Sequence, residues 1–592
     1  MVPVCAAGAA AAHCTVYILY QLFFMSSADW IVLAFTLTAI IAYGLYKSRT
    51  TKNLDGYFLS NRSMPWWLVL LSIMGTQASA VTFLSAPGQA YTDGMRFVQY
   101  YFGLPIAMVL LCITFLPIFH KLKIYTAYEY LENRFDLKTR TLTSFLFLLQ
   151  RGVSTGISIY APAIILSSLL GWNIYVTNIF MGGLLIIYTV TGGARAVAYT
   201  QQLQMVIIFA GMFTAAYMVV HLLPEGVGFI DALKVGGKMG KLNVITSGAE
   251  KGSFNWNDRY NIWSGLIGGF FLALSYFGTD QSQVGRYLTA KSLTESRIGL
   301  LMNGLVKVPM QFLILLVGVL VFTFYQFNQA PLFFNEVQVN KVAASQYKDS
   351  LQLLQVKYAL LSKEKTLAAA QWVQESRGGA NAAAAAGKLQ LLNNQTEQVR
   401  SDFKKLLSTA KIGGDGNDTN YIFLRFVIDY LPKGLVGLLI AVIFLAAWGS
   451  IAAALNSLAS CTVIDVHKKF IKKDCTETVD YTTSRWYTFA WGIFSIVIAM
   501  FATNMGSLIE AVNVLGSLFY GVILGVFLVA FYAKHVQGNA VFVSAVITEL
   551  GIVLLFWKSS VGFLWLNAIG ALGVLIIALL LQPFFNKKAA TI

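Results

Sequence analysis

Runs of about 20 apolar residues, parted by short polar segments, recur along most of the chain, and each is long enough to cross roughly 30 Å of hydrocarbon. The pattern predicts thirteen spans, at about 29–46, 66–85, 97–119, 141–168, 172–190, 201–223, 261–280, 301–325, 434–462, 486–503, 507–533, 539–557 and 562–582. The second, read to its end as WWLVLLSIMGTQASAVTFLSAPGQAY, is interrupted in the middle by small and polar residues. Lipid offers no partner to a freed backbone carbonyl, so a broken helix persists only where it lines a cavity or holds an ion. That feature predicts a transporter.

Residues 328–420 depart from the apolar rhythm and are rich in Gln, Ala and Lys. Apolar or small residues recur three and four apart at Leu351, Leu354, Tyr358, Leu361, Ala368 and Trp372, and again at Leu389, Leu392, Val399, Phe403, Leu406 and Ala410. Between the two series, Arg377-Gly378-Gly379 is a helix stop. The spacing predicts a helical hairpin packed as a short antiparallel coiled coil; the competing reading is a disordered insertion. The chain divides accordingly into an N-terminal extension (1–25), a first transmembrane part (26–327), the extracytoplasmic hairpin (328–420) and a second transmembrane part (421–592). Residues 1–24 lack the positive start of a signal peptide, and Met25, just before the first span, is an alternative start.

Composition agrees: the chain is 57% hydrophobic and 12% charged, about half the charge of a soluble domain. The net charge of +16 would suggest a nucleic-acid partner, but its distribution argues for none. Basic residues gather in short segments between spans, at Lys47/Arg49/Lys52, Lys121/Lys123, Arg134/Lys138/Arg140, Arg286/Lys291/Arg297, Lys468/Lys469/Lys472/Lys473 and Lys587/Lys588. The positive-inside bias makes all of them cytoplasmic, with the N-terminus outside and the C-terminus inside a plasma membrane. The basic stretches Lys234–Arg259 and Lys341–Lys411 oppose this, but long loops orient weakly.

Catalytic chemistry finds no home. The five cysteines form no CxxC, the five histidines no HExxH, and no GxxxxGK[ST] loop is present. The expectation is a protein that is not an enzyme and has no cofactor, driven by an ion gradient. Lys307, within the span after a cytoplasmic loop, is costly unless it faces a cavity or snorkels; Arg151 is a second intramembrane cation.

Five segments, YTAYEYLENRF (125–135), IYAPAIILSSLLGW (159–172), YTVTGGARAVAYTQQLQ (188–204), GTDQSQVGRYLTAKS (278–292) and LNSLASCTVIDVHKKF (455–470), resemble the sodium/solute symporters. The resemblance covers the chain outside 1–25 and 328–420. It implies an all-α polytopic fold of the LeuT-like kind: two inverted five-helix repeats among about thirteen transmembrane helices, with spans 66–85 and 261–280 as the broken pair. Gly75 and Gly278 punctuate those two spans.

By the same resemblance, a sodium site would comprise Gly75, Ala78, Ala446, Gly449 and Ser450, with the carbonyls of Gly75, Ala78 and Ala446 and the Ser450 hydroxyl as ligands. Gly449 stands where many relatives have a second hydroxyl. Some relatives hold a second sodium with an acid and two serines; Gln201, Ala452 and Ala453 stand at those positions, which implies one sodium per cycle. For the solute, the positions that serve sugars elsewhere hold Thr82, Tyr101, Leu104 and Ala273, a set too apolar for a hexose. Gln77, Thr82, Tyr101, Ala273, Tyr276, Phe277, Lys307 and Asn513 are the candidate solute-binding residues, with Tyr276 and Phe277 as an inner gate. The expected partners are sodium, a small organic solute or anion, the lipid bilayer and an extracytoplasmic partner of the hairpin. A proton-coupled carrier, a uniporter, and a transceptor sensing through the hairpin are the alternatives.

Overall fold

A computed structural model describes residues 25–48, 54–250, 252–378, 382–409, 416–472, 477–502 and 505–585. The stretch before Met25, together with Gly379 and Ala410 of the hairpin pattern, lies outside the described residues. Helices account for nearly all of the fold; among the described residues one small antiparallel strand pair occurs, Ala249–Glu250 with Ser253–Phe254.

The helices used below are α1 (Ser27–Ser48), α2 (Trp66–Gln77), α3 (Ala80–Asp93), α4 (Leu104–Ile113), α5 (Leu137–Leu170), α6 (Ile174–His221), α7 (Gly269–Gly278), α8 (Gln281–Tyr287), α9 (Leu293–Phe327), α10 (Lys348–Arg377), α11 (Ala383–Thr409), α12 (Leu435–Cys461), α13 (Glu477–Met500), α14 (Leu508–Tyr532), α15 (Gly538–Lys558) and α16 (Phe563–Phe585). Among the described residues, nine helical stretches are long and apolar enough to cross a membrane, and three shorter apolar helices accompany them. The most deeply enclosed is α12, whose run of Ala, Gly and Ser from Ala446 to Ser460 lets neighbouring helices approach closely.

The predicted spans 172–190 and 201–223 form one helical run, α6, but that run is not straight. Tyr188 and Thr200 share a hydroxyl–hydroxyl hydrogen bond of 2.5 Å, although twelve residues of straight helix would separate their Cα atoms by about 18 Å. The chain bends sharply between them.

Two helices are broken, as expected, but the breaks fall just beyond the glycines. Between α2 and α3, Ala78 (φ −82°, ψ 84°) and Ser79 leave helical geometry. The Ser79 N–H, which would bond the Gly75 carbonyl in an unbroken helix, donates to Gln77 at 3.1 Å. The resumed half, α3, runs to Asp93 rather than ending near residue 85. Between α7 and α8, Thr279 and Asp280 are non-helical, and the Asp280 carboxylate caps α8 by accepting from the Ser282 N–H at 2.7 Å. Gly75 and Gly278 are instead points of close packing: a Cβ would lie 3.0 Å from the Gln201 side chain and 2.8 Å from Leu111, respectively.

The predicted hairpin is present as α10 packed on α11. Leu351, Tyr358, Ala368, Trp372, Leu389, Leu392, Val399 and Phe403 are buried, and Gly378 stands at the end of α10. The hairpin is tied down twice. Arg377 at its tip donates to Asp231 (3.1 Å from Nε) and to the Gly226 carbonyl. At its base Arg400 bonds Asp418 at 2.7 Å. Two residues on, the Asn420 side chain holds three elements together. Its oxygen accepts from Ser85 of α3 (2.7 Å) and from the Leu508 N–H of α14 (3.4 Å), while its amide donates to the Gly506 carbonyl (2.9 Å).

At the opposite end of α14 lie described residues of two of the short basic segments. Arg140 bonds Asp465 (2.5 Å) and Glu132 (2.5 Å), Lys469 reaches Glu132 (3.0 Å), and Arg134 donates to the carbonyls of Ala530 and Ala533. The Ala127 N–H donates to Gln281 (3.0 Å), and the Tyr128 hydroxyl to the Thr279 carbonyl (2.8 Å). The segments 125–135 and 278–292, singled out in the sequence, thus dock on one another.

Candidate functional site

Two chambers meet between the broken helices. The larger, about 100 Å³, is lined by Gln77, Ser79 and Thr82 from the first break, Tyr100 and Tyr101, Gln150 and Arg151 of α5, Tyr276 of α7, and Asn513 and Tyr520 of α14. The smaller, about 60 Å³, is bounded by Thr76, Gln77, Ser79, Arg151, Ser154, Thr155, Ser158, Tyr276 and Ser450. Gln77, Ser79, Arg151 and Tyr276 belong to both walls, and no acidic side chain lines either chamber among the described residues.

Of the residues expected at a solute site, Gln77, Thr82, Tyr101, Tyr276 and Asn513 line the larger chamber. Three do not. Ala273 and Phe277 are buried outside the lining, with Phe277 packed edge-on against Tyr276 at 5.0 Å between ring centres. Lys307 is fully buried behind Tyr101, its ammonium 5.6 Å from that ring's centre. Asn303, Lys307 and Gln311 repeat every fourth residue along α9, forming a buried polar stripe whose side-chain ends find no hydrogen-bond partner among the described residues.

Among the described residues, the cation in the chamber wall is Arg151 rather than Lys307. Its guanidinium lies 6.0 Å from the centre of the Tyr276 ring and 3.8 Å from the Asp280 carboxylate, and its Nε has no partner among the described residues. Among the described residues, the buried side-chain carbonyl oxygens of Gln77 and Gln150 have no hydrogen-bond partner. Gln283 donates to the Tyr276 hydroxyl (2.8 Å), and Tyr520 donates to Asp280 (2.7 Å). Tyr276, Tyr520, Arg151 and Asp280 therefore form one cluster at the α7–α8 break. The sequence marked Arg151 as an intramembrane cation but could not show its facing, because α5 is buried on most of its circumference.

Of the residues expected at a sodium site, Ser450 lines the smaller chamber opposite Thr76, Gln77 and Ser79. Gly75 and Ala78 flank that lining on the first break, and Ala446 lies one turn before Ser450 on α12. Gly449 is engaged elsewhere: its carbonyl accepts the Gln201 amide at 3.0 Å, and a Cβ there would stand 2.6 Å from the end of Gln204. Gln201 also accepts from Ser72 (2.8 Å) and donates to Thr76 (3.2 Å), so one neutral amide ties α6 to both α2 and α12. Ala452 and Ala453 pack against Tyr188 and Val197.

Two discontinuous helices meeting at polar chambers, inside a bundle of membrane-length helices, define a multi-pass secondary transporter. The pattern of the sodium:solute symporter family matches residues 57–348 and 404–548, and the chain belongs to that family. It is 25% identical over 565 residues to the sodium/sialic acid symporter NanT of Aliivibrio fischeri, covering 95% of this chain and 94% of that one. It is 24% identical over 533 residues to the sodium/glucose cotransporter of Vibrio parahaemolyticus, covering 88% and 84%. Human sodium-coupled monocarboxylate transporter 1 is 32% identical over 285 residues, 46% of this chain and 44% of that one. A solved Na+-coupled sialic acid symporter in a substrate-bound outward-open state superposes with a TM-score of 0.73 at 22% identity, covering 95% of this chain and 98% of that one. The fold is the LeuT-like one, and the protein is a sodium-coupled symporter for a small solute, in a family of carriers rather than enzymes.

Proposed function

We propose that the carrier imports a small organic anion bearing a carboxylate, with one sodium ion per cycle, across the plasma membrane. The observation that carries this reading is Arg151: among the described residues its Nε has no hydrogen-bond partner, and no acid lines the chamber in whose wall it stands. A planar fork of donors suits a carboxylate. Gln77, Gln150, Tyr101 and Asn513 offer neutral hydrogen bonds to the rest of the solute. The names of the sialic acid and monocarboxylate relatives point to the same chemistry.

Sodium belongs with Ser450 and the carbonyls of Gly75, Ala78 and Ala446, neutral oxygens that suit a hard cation requiring release. Gly449 contributes no side chain. Gln201, Ala452 and Ala453 leave no anionic donor for a second ion, which supports a single sodium. The transport unit is 26–327 with 421–592, and 328–420 is an insertion. The basic end faces the cytoplasm under the positive-inside bias, which places the hairpin and the N-terminus outside and the C-terminus inside.

The test is uptake into proteoliposomes under an inward sodium gradient, across a panel of carboxylates headed by sialic acid and short monocarboxylates. Arg151→Gln is expected to cut uptake of the accepted solute by at least about a hundredfold, the scale of a lost charged hydrogen bond. Ser450→Ala is expected to raise half-saturating sodium by about tenfold. Undiminished carboxylate uptake by Arg151→Gln would sink the assignment.

A further inference from the structure

Arg151 is a problem for a sodium carrier. It borders both chambers, so its charge faces the smaller one where Ser450 lies, and a cation entering there meets repulsion unless the guanidinium is neutralised. No acid lines either chamber among the described residues. One acid stands just behind the wall. Asp280 is almost wholly buried at the α7–α8 break, its Oδ2 3.8 Å from the Arg151 guanidinium and held at 2.7 Å by the Tyr520 hydroxyl, while its Oδ1 caps α8. The 3.8 Å separation is an ion pair without a tight hydrogen bond, which neutralises Arg151 yet leaves donors for a ligand.

We propose that Asp280 is the resident counter-charge of Arg151: in the empty carrier it cancels the guanidinium's field in the sodium chamber, and an anionic solute competes with it for Arg151. This rests on the carboxylate reading only for the solute half. The sodium half stands on the two shared chamber walls. Bookkeeping of charge makes the consequence plain. The empty site is neutral, sodium alone makes it positive, and the anion alone makes it negative. Removing the acid leaves an uncompensated cation, which opposes sodium and favours the anion.

The experiment is a four-corner cycle on the full chain in detergent, reading sodium-dependent thermal stabilisation at constant ionic strength with choline as replacement. Asp280→Asn keeps the shape and an oxygen to cap α8. It is expected to raise half-saturating sodium by about tenfold, the effect of one charge acting over roughly 10 Å at an effective permittivity of about 20. Arg151→Gln is expected to bind sodium as tightly as the parent or more tightly, and Arg151→Gln with Asp280→Asn to return to the parent value. A double variant as weak as Asp280→Asn alone would mean that the acid attracts sodium without reference to Arg151, and would overturn the proposal. So would Asp280→Asn that binds sodium unchanged, or Arg151→Gln that binds it more weakly, and the latter needs no Asp280 variant to fold. Because sodium is the probe, loss of the carboxylate reading in the uptake panel leaves this cycle standing. Intact carboxylate recognition with an unshifted cycle would defeat only the counter-charge.

Discussion

Gly449 shows how a single position carries two constraints. Its carbonyl is taken by Gln201, and its missing Cβ makes room for the end of Gln204. That end is buried, so Gly449→Ser must shift it and is expected to cost about 1–3 kcal/mol in thermal unfolding. It would add a hydroxyl beside Ser450, and half-saturating sodium in the stabilisation assay is expected to fall. An unchanged sodium response would place the ion elsewhere. At this scale the sequence was readable for chemistry but not for direction. Five of eight expected solute residues line the chamber. Lys307, outside the lining, sits on a polar stripe of α9 behind Tyr101, whereas Arg151 lines the chamber from a helix buried on most of its circumference.

Among the elements, the hairpin was the most legible, because period and stop signal both lie in local sequence. The break in α2 was read correctly as a break but placed early, since Gly75 marks close packing on Gln201 while the unwinding falls at Ala78 and Ser79. The bend within α6 depends on the Tyr188–Thr200 contact, a tertiary fact. Two predictions belong here. Gly88 of α3 has its Cα against the Thr419 carbonyl, where a Cβ would stand 1.9 Å from backbone oxygen. Gly88→Ala must displace that segment, and a loss of about 1–3 kcal/mol is expected in thermal unfolding. In the hairpin, burial pushes the Lys365 ammonium down from 10.5 to about 8, against the pull of Glu397. The folded hairpin sheds this proton before the unfolded chain does, so the penalty is full below about pH 8 and relieved as pH rises toward 10.5. Proteolysis within 348–409 is expected to slow across that window, and Lys365→Met to remove the pH dependence while protecting the hairpin at pH 7.

For the whole molecule, the family pattern matches residues 57–348 and 404–548, so most of α10 and α11 lies outside it. The carrier's charge accounting yields a further prediction. Under the proposed cycle, one sodium moving with one monovalent anion transfers no net charge, so a potassium diffusion potential across proteoliposomes is expected to leave uptake unchanged. A tenfold sodium gradient, worth about 1.4 kcal/mol, then sets a roughly tenfold ceiling on accumulation. Uptake driven by an inside-negative potential would show that positive charge crosses, requiring a second cation or a neutral solute. Sequence could supply the symporter class and the single-ion expectation, but the proposal of an electroneutral cycle required Arg151 to be seen in the chamber wall.

Asn420 bears on how such a carrier would look in time. One side chain fastens Ser85, Gly506 and Leu508, so parting α3 from α14 at the hairpin end cannot proceed by degrees. The three bonds share a donor and an acceptor on one amide, and disturbing its orientation for one releases the others. A fluorescent pair spanning that end would therefore register discrete dwells at two levels with abrupt passages between them, and shortening Asn420 to alanine would blur the lower level into a continuum.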